Sequence, residues 1–327
     1  MTIAVLGLGS IGLRHARNAI SLGCKVIAFD PRAERRRLLT EEGGTAARDR
    51  KEALSRAEIA VIASPSECHL ADLRAAIDAD CHVMIEKPLA HTVEGLEEIL
   101  RDADARARIV FVAQNLRFHP VVRAARRALD ENLIGKLLWA RSIASSYLPD
   151  WRPTQDYRSG YAAQPETGGA LFDFIHEFDM LAYLIGSFDP LSVVTGRSGT
   201  LQIHSEDCVN ALLRHVGGIV SNIHVDYVTR PAIRVTEIAG WQGFLRLDIL
   251  ARQFEHLDVS GEVVTNIAFD DQHPDDYVTE MQAYLNCIAT GSPPLCDGWQ
   301  ALEILKSVVK ARSMAGLPAA PASSSAP

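Results

Sequence analysis

Gly7-Leu8-Gly9-Ser10-Ile11-Gly12 is the stretch that decides the fold. A short apolar run at residues 3–6 precedes it, and a segment with the composition of a helix, residues 13–20, follows it. In this strand, turn and helix order, the three glycines permit a tight turn, close approach of the backbone to a ligand, and close helix packing. The N–H groups around Ser10 and Ile11 then face an anion at the positive end of the helix. We therefore predict a dinucleotide-binding site.

An acid ends the second apolar run. Asp30 follows residues 24–29 and lies about 20 residues beyond the glycines, where a ribose-binding carboxylate is expected. Such an acid repels a 2′-phosphate and favours NAD. Arg32 keeps NADP open, because a guanidinium at this place could hold that phosphate.

The pattern of apolar and polar residues changes near residue 120. Before it, buried strands alternate with amphipathic helices, which predicts a doubly wound parallel sheet of the α/β class in a domain at 1–120. After it, apolar and polar residues alternate through 191–269, which predicts an α+β domain at 121–317 with an open, mainly antiparallel sheet. The Ala-, Pro- and Ser-rich tail, 318–327, is predicted to be disordered.

Further candidate site residues follow the other parallel strands, because ligands bind at the carboxyl ends of such strands. Glu86-Lys87-Pro88 places a lysine directly after an apolar run, with Glu86 beside it to orient the ammonium group. We expect cofactor contacts from these strand ends, and substrate contacts from Lys87 and Arg117. The remaining cofactor candidates are Ser64, Pro65, His69 and Asn115. A plain turn at 64–69 and structural roles for Asn115 and Arg117 are equally open.

A second group of candidates, for catalysis and for substrate binding, lies on the predicted helix that begins at Gly168-Gly169. Asp173 and His176 are three residues apart, so on a continuous helix they would share a face. An imidazole is suited to take a proton from a hydroxyl near neutral pH. The carboxylate and histidine spacings match no metal motif, so no metal site is predicted.

Together these residues resemble the glucose–fructose oxidoreductase and inositol dehydrogenase family, Gfo/Idh/MocA. The resemblance covers nearly the whole chain. It rests on the motifs quoted above, together with His15 and Phe118. It implies a Rossmann domain joined to an open-faced α+β domain, and NAD(P)-dependent oxidation or reduction of a sugar, cyclitol or related polyol. It also implies that Lys87 and His176 are the catalytic lysine and histidine.

One departure from the family pattern concerns Asp173. The family usually has three residues between this acid and the histidine, whereas Phe174-Ile175 gives two. With the upstream segment 147–153, in which Trp151 and Arg152 are predicted substrate contacts, this shorter form resembles a subgroup found with nonulosonic-acid and other surface-glycan pathways.

The predicted activity is hydride transfer between nicotinamide and a hydroxyl-bearing carbon. His176 would remove the hydroxyl proton and Lys87 would stabilise the alkoxide. Two alternatives stay open. Transient oxidation could drive elimination or epimerisation without net redox change, or the protein could be a non-catalytic sugar sensor that binds a dinucleotide.

The composition and charge of the chain limit which partners it can bind. The net charge of −8 argues against general nucleic-acid binding or binding to anionic membranes, and no apolar run reaches the length of a membrane span. Six scattered cysteines and an N-terminus that begins with a strand fit a cytoplasmic protein. The uncovered face of the second sheet predicts a homodimer or homotetramer.

Overall fold

The computed structural model describes residues 1–270 and 276–320. Of these, residues 1–115 and 276–305 form one compact unit, and residues 116–270 and 306–320 form a second. The predicted 121–317 domain places both closing helices in the second half. The structure differs there, because Tyr284 of the first closing helix packs on Phe111 of the first unit at 5.3 Å between ring centroids.

The first unit is built on six parallel strands in the order β3-β2-β1-β4-β5-β6. The strands are β1 (Thr2–Leu6), β2 (Lys25–Phe29), β3 (Thr45–Ala46), β4 (Ile59–Ile62), β5 (His82–Glu86) and β6 (Val110–Ala113). β4 and β6 are buried throughout, as expected of strands with helices on both faces. The prediction of a doubly wound parallel sheet is confirmed.

Helices connect these strands and close the unit. They are α1 (Ser10–Ser21), α2 (Ala33–Glu41), α3 (Arg50–Ser55), α4 (His69–Asp78) and α5 (Leu96–Ala105), followed near the end of the chain by α10 (Asp276–Thr290) and α11 (Gly298–Met314). Residues 306–314 of α11 belong to the second unit.

The second unit contains an eight-stranded sheet in the order β14-β13-β12-β11-β7-β10-β9-β8. Its strands are β7 (Leu137–Ser145), β8 (Phe188–Gly196), β9 (Cys208–His215), β10 (Val220–Asp226), β11 (Ile233–Gly240), β12 (Gly243–Asp248), β13 (Gln253–Leu257) and β14 (Val263–Ala268). Only β7 and β10 pair in parallel among these strands. The prediction of a mainly antiparallel sheet is confirmed.

Four helices join this sheet within the second unit: α6 (Pro120–Asp130), α7 (Leu148–Trp151), α8 (Ala170–Asp173) and α9 (Ile175–Ile185). The alternation predicted for β10 is present, since Ser221, Ile223 and Val225 are buried while Asn222 is exposed. The last described residues, 317–320, have no regular structure, and the rest of the predicted tail, 321–327, lies outside the described residues.

Candidate active site

The glycine turn has the geometry of a cofactor cradle. Gly7 has a φ of +88°, and its N–H donates to the Phe29 carbonyl at 2.8 Å. A Cβ on Gly12 would lie 2.0 Å from the Gly7 carbonyl oxygen, so only glycine lets α1 approach the turn. At Gly9 no atom lies within 4 Å of the place that a Cβ would take. This open side is where a pyrophosphate would meet the N-terminus of α1.

Asp30 is held against this turn. Its Oδ2 accepts the Leu8 N–H at 2.7 Å, and the Arg32 guanidinium donates to both of its oxygens at 2.9 Å. Burial alone would raise the pKa of Asp30, but the hydrogen bonds from Arg32 and Leu8 outweigh burial and hold that pKa below its usual value. Asp30 is therefore a carboxylate at neutral pH, and the structure brings it and Arg32 together as an ion pair beside the glycines.

His69 links the next two strand ends. It is 1% exposed, and its Nδ1 lies 2.8 Å from the Pro88 carbonyl while its Nε2 lies 3.1 Å from the Ser64 carbonyl. Burial lowers the pKa of His69. A neutral imidazole donates from one nitrogen only, so one of these contacts is a donated hydrogen bond at any time. The His69 ring therefore holds the Ser64 loop and the Pro88 loop together. Pro65, which follows Ser64 in the chain, is exposed.

The sequence suggested that Glu86 orients the lysine ammonium group, and the structure shows other partners for its two carboxylate oxygens. Its Oε1 lies 2.7 Å from Nε2 of the fully buried His15, and its Oε2 accepts the Lys87 backbone N–H at 3.2 Å. The His15 ring in turn packs edge-on against Tyr277 of α10. Glu86 thus fixes the backbone of the half-buried Lys87. Asn115, the last residue of the first unit, begins a 3₁₀ turn and is half-buried.

In the second unit the predicted continuous helix is broken. Phe174, with a ψ of 27°, separates α8 from α9, so Asp173 and His176 lie on different helices and the shared-face argument was wrong. The Phe174 ring packs against Tyr227 and Trp151, at centroid distances of 5.9 Å in both cases.

Asp173 has a partner that sequence reasoning missed. The fully buried Tyr227 donates its hydroxyl to Asp173 Oδ2 at 2.5 Å. Burial, with the Asp173 charge, raises the pKa of Tyr227 well above its usual value, so this hydroxyl stays a donor. Trp151 packs edge-on against Tyr227 at 5.4 Å, which brings two predicted substrate contacts, Trp151 and Asp173, into one cluster. Arg152, the residue after Trp151, is exposed.

Two buried ion pairs hold the helix that carries His176. Glu177, fully buried, accepts from Arg234 at 2.7 and 3.2 Å. Asp179, also fully buried, accepts from Arg117 at 2.9 and 2.7 Å. Arg117 was predicted to contact substrate, but the structure places it 3% exposed against Asp179 because the adjacent α9 presents this buried acid. His176 itself is half-buried in the first turn of α9.

Comparison with known proteins identifies the family. Residues 1–114 match the model described as "Oxidoreductase family, NAD-binding Rossmann fold", and residues 122–246 match the "GFO/IDH/MocA C-terminal domain". The chain belongs to the Gfo/Idh/MocA oxidoreductase family. It is therefore an oxidoreductase with an NAD-binding domain, as the sequence predicted.

Named relatives and a solved structure agree with this. The chain is 29% identical over 261 residues to 1,5-anhydro-D-fructose reductase of Ensifer adhaerens, covering 76% of each chain. It is 25% identical over 321 residues to myo-inositol 2-dehydrogenase of Thermotoga maritima, covering 91% of each. Its fold is similar to that of levoglucosan dehydrogenase in complex with NADH and levoglucosan, with a TM-score of 0.83, 19% identity, and coverage of 98% and 99%.

Two features are absent from the described residues. Residues 1–270 and 276–320 contain no group of three or more His, Cys, Asp or Glu side chains that could hold a metal ion. In the same part of the chain, every helix is too short or too polar to cross a membrane.

Proposed function

We propose that this oxidoreductase oxidises a hydroxyl group of a sugar, cyclitol or sugar derivative, or reduces the matching ketone, with NAD. The observation that carries the proposal is the edge of the first sheet, where one set of loops holds both an open glycine cradle and a fixed lysine. His69 joins the Ser64 loop to the Lys87-Pro88 loop, and Glu86 fixes the Lys87 backbone. The names of the relatives point to sugars and cyclitols as substrates.

The residues present fit the cofactor. In this proposal the pyrophosphate lies at the open side of Gly9, where Ser10 and Ile11 begin α1 and donate their backbone N–H groups. The Asp30 carboxylate, held beside this turn by the Leu8 N–H, binds the ribose. Bound NAD supplies the hydride acceptor. We assign Ser64, Pro65, His69, Glu86 and Asn115 to the same binding region.

Lys87 and His176 carry the proton chemistry in this proposal. His176 takes the proton of the substrate hydroxyl, and the Lys87 ammonium group stabilises the charge that develops on the oxygen. Asp173, which accepts the Tyr227 hydroxyl, contacts the sugar. Trp151 and Arg152 contact the sugar as well. Holding the reacting groups in a fixed geometry supplies much of the rate enhancement.

Asp30 makes NAD the preferred cofactor. Its buried charge repels a 2′-phosphate, and Arg32, which could attract one, is already paired to that charge. Asp30→Ala frees Arg32 and should narrow the preference. Specificity constants that favour NADP in the parent protein would reject this assignment.

We also propose that the outer face of the second sheet forms a homodimer or homotetramer in the cytoplasm. Trp139, Val194 and Leu212 are 40%, 64% and 40% exposed in the isolated chain, and apolar sheet faces are usually covered. All six cysteines are free thiols, which fits a reducing compartment. Light scattering that shows only a monomer would reject the assembly.

A substrate screen tests the main proposal. The protein with NAD is offered neutral sugars, cyclitols and sugar acids, and both NADH absorbance and product mass are measured. We expect one NADH for each product that has lost two hydrogens. A product of unchanged redox state without NADH would favour elimination or epimerisation, and binding without turnover would favour a sensor.

A further inference from the structure

Among three arginines of the second unit, one has two buried guanidinium nitrogens with no partner among the described residues. Arg117 and Arg234 each donate through the Nε and Nη2 edge of the guanidinium to a buried carboxylate. The same two nitrogens of Arg252 are buried and have no acceptor among the described residues. Burying charged donors without an acceptor is costly, so this edge is suited to an oxygen pair that lies outside the described residues.

The backbone holds Arg252 in place. It lies in the turn between β12 and β13 with a φ of 53°, its N–H donates to Ile249, and its carbonyl accepts from Phe269 at 2.9 Å. The Ile249 N–H donates to the Arg234 carbonyl at 2.9 Å, which fixes this turn beside the start of β11. The residue as a whole is only half-buried, so part of it lies at the surface although Nε and Nη2 are buried.

A second unpartnered group lies beside this turn. His119 precedes α6, which packs on β12 and β13, and it is 4% exposed with no partner for Nδ1 among the described residues. Burial, together with the charges of Arg252 and Arg234, lowers the pKa of His119 to about 4. The imidazole is therefore neutral near pH 7 and can donate one hydrogen bond without adding charge.

The charges of the cluster select the ligand. Glu177 neutralises Arg234, so among the described residues Arg252 leaves one positive charge uncompensated. A carboxylate has one negative charge and two coplanar oxygens that match the guanidinium edge, whereas a phosphate monoester carries nearly two charges. Glu177 directly follows His176, the proposed base.

We infer that Arg252 and His119 form a subsite for a carboxylate, and that the sugar substrate is therefore an acid. This inference rests on the proposed function for its link to catalysis. Nothing in it depends on which carbon of the sugar is oxidised.

Matched acid and neutral compounds test the subsite. The probes are glucuronate with glucose, galacturonate with galactose, N-acetylneuraminate with its methyl ester, and acetate, each titrated into full-length protein saturated with NAD at constant ionic strength. We expect at least one acid to bind about tenfold or more tightly than its neutral partner, a typical effect of a charged hydrogen-bonded pair. Arg252→Gln should remove that preference and leave the neutral partner unchanged, and Arg252→Lys should restore part of it.

Arg197→Gln is the control, because Arg197 is an exposed arginine of the same unit. Circular dichroism checks that each variant is folded. If no carboxylate shows binding that depends on Arg252, or if sugar phosphates show the dependence instead, the subsite is overturned. Oxidation of a sugar acid and of its neutral partner that is equally unaffected by Arg252→Gln would overturn the subsite and leave the proposed function standing. Binding of acids that depends on Arg252, without oxidation of any compound, would do the reverse.

Discussion

The two units hold their functional side chains in different ways. In the first unit the candidate residues belong to short motifs at strand ends, and each contacts backbone groups: Asp30 the Leu8 N–H, Glu86 the Lys87 N–H, and His69 two carbonyls. Glu86 also has a distant partner, the His15 ring 71 residues away. In the second unit the side chains are fixed by partners distant in sequence. Tyr227 reaches Asp173 across 54 residues, and Arg234 reaches Glu177 across 57. The backbone contacts of the first unit form where the strands end, whereas the side-chain pairs of the second unit exist only after the sheet and helices have packed.

The largest effect should come from breaking a distant buried pair. Arg117→Leu leaves the fully buried Asp179 carboxylate without its cation and should lower the free energy of unfolding by about 3–5 kcal/mol. Chemical denaturation measures this. The matched control is Arg17→Leu, which breaks the exposed pair with Glu42 and should cost at most about 1 kcal/mol. Equal losses for both variants would mean that the buried pair does not organise the second unit.

The next effect concerns the two proposed catalytic groups, one in each unit. Lys87→Ala and His176→Ala should each lower turnover by roughly a hundredfold or more, as is typical of positioned acid–base groups. NAD affinity, measured by fluorescence, should change little, because the glycine turn and Asp30 carry most of it. The two losses should be less than additive if both residues act on one hydroxyl. Near-normal turnover of His176→Ala would remove the histidine from the mechanism.

Acid should weaken the second unit through His119. Its pKa is about 4 in the folded state against an ordinary 6.5, so the unfolded chain binds more protons between these values. The free energy of unfolding should therefore fall as pH drops from 6.5 toward 4, by about 2 kcal/mol at pH 5 from this group. His119→Gln should flatten that part of the stability profile. An unchanged slope in the variant would assign the acid sensitivity to other groups.

A smaller effect is expected at Tyr227. Tyr227→Phe removes one hydrogen bond to Asp173 and keeps the ring that packs on Trp151, so turnover should fall about five- to tenfold. Asp173→Asn in the same assay shows whether the acid reaches the substrate despite its shortened spacing. A large loss for Asp173→Asn with none for Tyr227→Phe would mean that the tyrosine only fills space.

The same contrast explains what the sequence predicts. Parallel strands and the loops at their ends can be predicted from short sequence motifs. An apolar run followed by Gly7–Gly12 or by Glu86-Lys87-Pro88 can form few other structures. The break at Phe174 could not be predicted, since the local helix pattern contains no sign of it and the contact of its ring with Tyr227 forms only in the folded unit. The role of Arg117 stayed open between substrate binding and structure for a related reason. A buried partner 62 residues away gives no local signal, and an arginine near a strand end is typical of both binding and structural roles.

The origin of the hydride is the central claim, and isotope transfer measures it most directly. A substrate found in the screen is prepared with deuterium on the carbon that bears the reacting hydroxyl and is incubated with NAD and the protein. We predict reduced cofactor that contains deuterium, in a one-to-one ratio with the ketone product. Deuterium returned to a sugar product, with the cofactor oxidised at the end, would contradict net dehydrogenation.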